Sequence, residues 1–427
     1  MRCLTRPHRR RFKPIITAVR FCDLTFAYTA TSGGIRTYLD QKRRYILEQT
    51  EHEHVLIVPG EEDAVEREGR ATTYRIASPM IPGCEPYRFF CRPAALGDAL
   101  REAAPDVIEL GSFFLEPWTA FRYRKEQGES GRRCFVSGYF HTDLADAYVG
   151  SPVRAALSGQ ALAWSEHVAM LGSKLGDWIE TGATSYFGSL FKKCDAMFAA
   201  SPAQVQRLAG YGIDDALLVP LGVDLTRFHP RRRSADVRRR LGAMEGTALL
   251  VYAGRLDNEK RVGVLVDAFM RLARTDARLL LIGEGPMRAE LEARAKDTGG
   301  LTVLPYEKNP EALADLLASA DVYVTAGPHE TFGLSVIEAQ ASGLPVVGVR
   351  SGALIERVPP SCGRLGAVDD AEEMARNIEE VLREARALGA AARAHVVDAG
   401  FGWDSTFKTL FAAYAAGMAG QPIERAG

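Results

Sequence analysis

No stretch of this sequence approaches the roughly 18 consecutive apolar residues that a membrane-crossing helix needs. Nor is there an excess of basic charge. The 53 Lys and Arg against 54 Asp and Glu leave a formal net charge of −1, which offers no general means of neutralising a nucleic-acid backbone and argues against such a partner. Cysteine is sparse and odd in number: the seven residues Cys3, Cys22, Cys84, Cys91, Cys134, Cys194 and Cys362 include no C-x-x-C spacing. That excludes the usual zinc and dithiol arrangements and leaves small buried hydrophobes of a reducing cytoplasm. Arg2, Arg6, Arg9, Arg10, Arg11 and Lys13 give a basic start, but the apolar run after it, Pro14 to Val19, stops at Arg20. It is too short for the apolar core of a signal peptide, so the start reads as a loose arm or a weak contact for anionic surfaces.

What is present is a soluble, globular composition, 47% hydrophobic and 25% charged, in a chain of 427 residues. A single core rarely grows to that size, so two domains of about 200 residues each are expected. Buried-type strands are expected at Ile15–Cys22, Val55–Val58, Thr72–Ile76, Val107–Leu110, Arg133–Phe140 and Ala196–Ala199, then at Ala248–Gly254, Arg278–Ile282, Leu301–Leu304, Asp321–Thr325 and Val346–Val349. Helical stretches separate them. The alternation predicts an α/β fold of parallel, doubly wound sheets, which bind ligands beyond the carboxyl ends of their strands.

One stretch, His329 to Pro345, reads H-E-T-F-G-L-S-V-I-E-A-Q-A-S-G-L-P between two of these strands. A helix of about three turns is expected from Thr331 or Phe332, closed by Gly343 in a left-handed conformation and by Pro345. Its unpaired first-turn amides and dipole suit a phosphate. Glu330 ahead of the helix and Glu338 about two turns into it either belong to a solvated helix face or accept hydrogen bonds from sugar hydroxyls, for which ionised acceptors make the stronger bonds.

Three further features lie at strand ends. Gly33 and Gly34 open the helix after the first strand, where a phosphate can approach backbone amides, although an ordinary tight turn explains a Gly-Gly pair as well. His141 follows the strand ending at Phe140, with Asp143 two residues on as a helix cap or an orienting partner. Arg255 and Lys260, just after Gly254 in G-R-L-D-N-E-K, are either surface cations or neutralise a diphosphate at the crevice. The triplets Arg231 to Arg233 and Arg238 to Arg240 read as a solvated linker and helix face.

The run from Glu330 to Val347 resembles the E-x7-E signature of the retaining glycosyltransferases of family 4, and G-R-L-x-x-x-K resembles the same family's diphosphate clamp. The resemblance implies the GT-B fold: two Rossmann-like domains facing a cleft, and a final helix that crosses back to the first domain. With Leu217 to Pro230 as the passage between halves, the expected organisation is an acceptor-side domain over 1–220, a nucleotide-sugar domain over 221–402, and a crossing helix and tail over 403–427.

The resemblance further implies that a hexose, mannose or glucose, moves from a GDP- or UDP-linked donor to a hydroxyl of a sugar, lipid or glycan. No other cofactor is expected, and no metal, because no D-x-D triad occurs at a strand end. By the same resemblance Arg255 and Lys260 hold the leaving diphosphate and Glu330 binds donor-sugar hydroxyls. Phe332, Gly333 and Leu334 present amides, and Glu338 accepts from ribose. Gly254, Gly33 and Gly34 approach the donor, and His141 meets the sugar from the opposite wall. A GT-B epimerase or a non-catalytic nucleotide-sugar-binding subunit are the competing readings. The expected location is cytoplasmic, with peripheral contact at the inner membrane face through Lys42, Arg43 and Arg44 and the basic aromatic segment Tyr87 to Arg92 left open.

Overall fold

The computed structural model describes residues 18–29, 33–81, 86–141, 181–272 and 274–423. The N-terminal arm, Ser32, Asp143 and the aromatic stretch around Trp164, His167 and Trp178 lie outside those residues. Among the described residues, fourteen strands form two sheets. The first holds β1 (Arg20–Leu24), β2 (Glu53–Gly60), β3 (Ala64–Glu68), β4 (Ala71–Ala77), β5 (Val107–Leu110), β6 (Phe135–Phe140), β7 (Ala196–Ala199) and β8 (Leu217–Leu218), in the order β3-β4-β2-β1-β5-β6-β7-β8. The second holds β9 (Ala248–Ala253), β10 (Ala277–Ile282), β11 (Leu301–Leu304), β12 (Val322–Val324), β13 (Val346–Val349) and β14 (Gly363–Gly366), in the order β11-β10-β9-β12-β13-β14.

Every pairing is parallel except the β3–β4 hairpin. In both sheets the order doubles back at its first strand, between β1 and β5 and again between β9 and β12. At such a reversal neighbouring loops diverge to opposite faces and open a crevice. Several interior strands are buried along their whole length, as are β6 and β13, which is why they read as continuous apolar runs. Among the strands that depart from that pattern are β3 and β14. β3 is an edge strand with Glu66, Arg67 and Glu68 exposed, the charged composition that keeps an edge from pairing with another chain. β14 reads Gly-Arg-Leu-Gly, and a Cβ on Gly363 would lie 1.8 Å from the Val346 carbonyl oxygen, so close strand approach dictates glycine there.

Five helices position the site. They are α1 (Gly33–Gln49), α2 (Pro202–Gly210), α3 (Leu334–Ala341), α4 (Leu354–Arg357) and α5 (Trp403–Ala419). α3 departs from the expectation at its start. Gly333 adopts φ +85°, a left-handed residue that cannot belong to the helix, so α3 begins at Leu334 and has 8 residues rather than three turns. Glu338 is therefore one turn into the helix, not two. Its far end is as expected, with Gly343 at φ +82°.

α5 crosses back onto the first sheet. Phe407, Leu410 and Tyr414 are buried in one core with Phe21, Tyr38 and Phe135, and a Cβ on Gly417 would lie 2.2 Å from the Phe135 ring. The outgoing and returning segments run side by side: the Val223 amide donates to Phe401 O at 2.9 Å and Thr406 Oγ1 to Pro220 O at 2.8 Å.

The basic face expected at Lys42, Arg43 and Arg44 does not exist as such. Lys42 is 1% exposed, its Nζ 2.7 Å from Asp23 Oδ1, 3.1 Å from Glu109 Oε1 and 3.0 Å from the Tyr414 hydroxyl. Arg43 Nε donates to His54 Nδ1 at 2.8 Å, which leaves Nε2 to carry the proton donated to Asp23 at 2.7 Å. Burial holds that imidazole below its ordinary pKa, against the pull of Asp23, so it is a neutral link. Only Arg44 faces outward, toward Glu48 and Asp224. The linker arginines are also bound. Arg233 and Arg238 both pair with Asp321, at 2.6 and 3.0 Å, and Arg232 with Glu311 and Asp315, at 2.6 and 2.7 Å, while Arg239 and Arg240 remain exposed.

Candidate active site

The second sheet's reversal brings the loop after β9 against the loop after β12. Lys260 comes from the first and Glu330 from the second, 70 residues apart, and Nζ meets Oε2 at 2.9 Å with the side chains 20% and 19% exposed. Burial alone would lower the ammonium pKa, but the Glu330 charge and hydrogen bond raise it, so Lys260 is charged. Its placement depends on two neighbours. The Lys260 amide donates to Asp257 Oδ1 at 2.9 Å, and a Cβ on Gly327 would come within 3.2 Å of the Lys260 stem.

Arg255 is not joined to that pair. Its side chain is 54% exposed and turns to Asp257 at 2.9 Å and Glu259 at 2.5 Å, although Lys260 feels its charge and Tyr87 of the first domain lies within its electrostatic reach. Gly254 sits beneath it, where a Cβ would lie 2.7 Å from the Tyr252 hydroxyl, itself bonded to the Arg255 carbonyl at 2.8 Å.

At the start of α3, Phe332 is 3% exposed and its ring packs edge-on against Phe401, 6.1 Å between centroids. Leu334 reaches across to the first domain, where a Cβ on Gly34 would meet Leu334 Cδ1 at 2.8 Å. Gly33, the opening residue of α1, has φ +52° and nothing within 4 Å of a would-be Cβ. The glycine turn therefore lies against the head of α3, with open space at its outer residue. Glu338 is half-buried, and burial pushes its carboxyl up to about 7, opposed by Arg227. No side-chain hydrogen bond satisfies it among the described residues.

His141 directly follows β6 in the first domain. Its ring stacks on Tyr139 at 4.4 Å and meets Tyr38 edge-on at 5.2 Å. Burial drives its pKa down to about 3, so the imidazole is neutral throughout the physiological range, and its buried Nε2 has no partner among the described residues. No hydrogen bond, ion pair or ring contact joins it to Lys260, Glu330 or Glu338. The structure thus gathers Lys260, Glu330, Gly34 and Leu334, places Arg255 beside them, and leaves His141 buried in the first domain against Tyr38 and Tyr139.

Among the described residues no group of three or more His, Cys, Asp or Glu is placed to hold a metal ion. No helix there is long and apolar enough to cross a membrane. Two groups near the site carry no signal recognised in the sequence. Ser351 and Arg357 both contact the loop ahead of α3, and only the glycine between them, Gly352 in S-G-A, hints at a close approach.

The family described as Glycosyltransferase Family 4 matches residues 32–227, and that described as Glycosyl transferases group 1 matches 247–384. The GDP-mannose-dependent alpha-(1-6)-phosphatidylinositol dimannoside mannosyltransferase of Mycobacterium tuberculosis is 34% identical over 357 residues, covering 81% of this chain and 83% of its own. A GDP-mannose-dependent alpha-mannosyltransferase of Corynebacterium glutamicum is 28% identical over 344 residues, 78% of this chain and 74% of its own. Among solved structures, sucrose-phosphate synthase of Thermosynechococcus elongatus superposes with a TM-score of 0.70 at 20% identity, covering 94% of this chain and all of its own. WaaG, a glycosyltransferase of lipopolysaccharide biosynthesis, does so at 0.64 and 15% identity, over 91% and 98%. The chain belongs to the retaining glycosyltransferases of family 4, with their GT-B fold and their transfer of a sugar from a nucleotide donor.

Proposed function

We propose that this glycosyltransferase moves mannose from GDP-mannose to a hydroxyl on the sugar headgroup of a lipid, without a metal, at the inner face of the cytoplasmic membrane. The observation that carries the reading is the Lys260–Glu330 pair at the sheet reversal. A cation and a carboxylate that satisfy each other in the free protein can exchange partners when a donor enters, Lys260 turning to the diphosphate and Glu330 to sugar hydroxyls. Arg255 adds a second cation and the amides about Gly333 a third source of positive potential, enough to stabilise the leaving group electrostatically. The choice of GDP-mannose and of a lipid acceptor rests on what the mycobacterial and corynebacterial relatives are named for.

In the reaction, the bond from the anomeric carbon to the phosphate oxygen breaks and the acceptor oxygen bonds to the same face. The acceptor's proton passes to the departing phosphate oxygen, so no enzyme carboxylate is required as base. Glu338 takes the ribose hydroxyls. His141, neutral at its stacked position, offers a polar Nε2 to the sugar from the first domain. The surface that meets the membrane is not the buried Lys42. Arg88 and Arg92 of the aromatic segment are likewise paired, with Glu61 and Asp63 at 2.6 and 2.7 Å.

Thermal shift with GDP, UDP, GDP-mannose and UDP-glucose, each with and without EDTA, tests donor and metal together. At a ligand concentration of about 100 times Kd, stabilisation of roughly 2.7 kcal/mol is expected. GDP and GDP-mannose should raise the melting temperature more than the uridine pair, unchanged by EDTA. A response to the uridine pair alone would overturn the donor assignment, and loss of the response in EDTA the metal-free one.

A further inference from the structure

The loop that carries Glu330 into α3 is held from one side at alternate residues. Ser351 Oγ donates to Pro328 O at 2.7 Å, the Ala353 amide to Glu330 O at 2.9 Å, and Arg357 Nε to Phe332 O at 3.2 Å. All three donors come from the segment between β13 and the end of α4. The approach is so close that a Cβ on Gly352, at φ +55°, would lie 2.6 Å from the Glu330 carbonyl oxygen.

In a trans peptide the C=O and the following N–H point in opposite directions. Fixing the carbonyls of Pro328, Glu330 and Phe332 therefore turns the amides of His329, Thr331 and Gly333 away from the clamp. None of these three N–H groups donates a hydrogen bond among the described residues. They form a row of unused donors leading to the head of α3.

Arg357 is the unusual member of the clamp. It is 5% exposed, lies between the rings of Phe332 and Phe401 at 4.3 and 4.6 Å, and has no carboxylate within ion-pair distance among the described residues. Burial pushes its pKa down to about 10, so it keeps its charge at neutral pH. A buried cation without a counter-ion is costly, and a hydrophobic side chain would fill the space between two phenylalanines at lower cost. What the guanidinium adds is reach: Nη2 donates to Ala200 O of the first domain at 3.4 Å while Nε holds Phe332. Its neighbour Glu356 also crosses the seam, accepting the Ala203 amide at the first turn of α2 at 3.3 Å.

We propose that Arg357 is a positioning residue: it fixes the Phe332–Gly333 peptide with its N–H turned toward the donor, and through Ala200 it ties that orientation to the first domain's position. The proposal rests on the reading that amides at the head of α3 meet the donor's diphosphate.

Arg357→Met keeps the bulk between the rings and removes both donors, and Arg357→Lys restores charge with one donor group for two carbonyls. The measurements are GDP affinity, donor KM, kcat, melting temperature, and amide exchange at Ala353 and Ile337, whose N–H groups donate to Glu330 O and Gly333 O. Arg357→Met should weaken GDP binding and raise donor KM about tenfold, the worth of one hydrogen bond to a charged group, with a smaller change in kcat. Exchange at both amides should quicken, and Arg357→Lys should recover part of each effect. Wild-type GDP affinity, KM and exchange in a folded Arg357→Met protein would overturn the proposal, as would losses that only track the unfolded fraction. Should the Met variant not fold, the Lys variant decides by the same readings. Failure of the wild-type protein to bind GDP would sink the donor assignment, while exchange at Ala353 and Ile337 would still decide the clamp.

Discussion

The two halves repeat one sheet topology but keep their charges in different places. In the first, Lys42, Asp23, Glu109 and His54 lie beneath the sheet and are closed off by Tyr38 and by Tyr414 from the crossing helix. Burial alone would raise the Asp23 pKa and lower that of Lys42. Their mutual attraction reverses both, so the pair stays ionised, while Glu109 is held above its usual value by burial against the pull of Lys42. In the second half the comparable charges, Lys260, Glu330, Arg255, Asp257 and Glu259, sit at the carboxyl edge of the sheet, where the proposed function has a donor replace a partner. An ion pair sealed from water and satisfied on every side joins parts of a fold. One at a crevice mouth can be a site waiting for its substrate.

The sharpest way to break this contrast is Lys42→Met. Removing one member of a buried pair leaves the others uncompensated and should cost about 3–5 kcal/mol, read as a fall in denaturation midpoint and in melting temperature. A cost within the range of surface substitutions would mean the cluster is not structural.

Next in size is Lys260→Ala, for which a loss of about 10²-fold in turnover is expected when one cation facing a developing anion is removed. Arg255→Ala, starting from a more exposed position, should lose less. Wild-type rates in both would remove the diphosphate from this edge.

The smallest effect sharpens the contrast within the second half itself. Burial holds the Glu338 carboxyl up at about 7, above the ordinary value, so a binding partner that prefers the ionised form must draw off its proton. GDP affinity should therefore rise between about pH 6 and pH 8, with proton release that fades above the folded pKa. Glu338→Gln should flatten the part of this profile that the phosphates do not contribute. An identical profile in that variant would exclude Glu338 from nucleotide binding. The stability sign is the reverse: with the folded pKa raised, Glu338 favours folding less as pH climbs from the ordinary carboxylate range toward 7.

Much of the fold was legible because interior strands such as β7 and β13 are apolar end to end, and β5 and β11 also coincide with the runs expected for them. β3 and β14 were not, since one is an exposed charged edge and the other is half glycine. On the site side, Glu330, Lys260 and the glycine turn were marked by their place at strand ends together with the resemblance of their surrounding motifs to family 4, since the spacing of two glutamates alone says little. Arg357 was invisible because a buried arginine between two phenylalanines has the same local sequence as a surface one. Lys42 misled for the opposite reason: in a Lys-Arg-Arg run, nothing local distinguishes the residue that turns inward to meet Asp23 and Glu109, which lie 19 residues before it and 67 after it.

The most direct test of the contrast is to measure turnover per folded molecule and melting temperature side by side in Lys42→Met and Lys260→Ala. The expected result is a crossing. Lys260→Ala should lose turnover with its melting temperature within a few degrees of wild type, and Lys42→Met should lose melting temperature while its folded fraction turns over normally. Turnover and melting temperature falling together in both variants would contradict the assignment of one cluster to the fold and the other to the reaction.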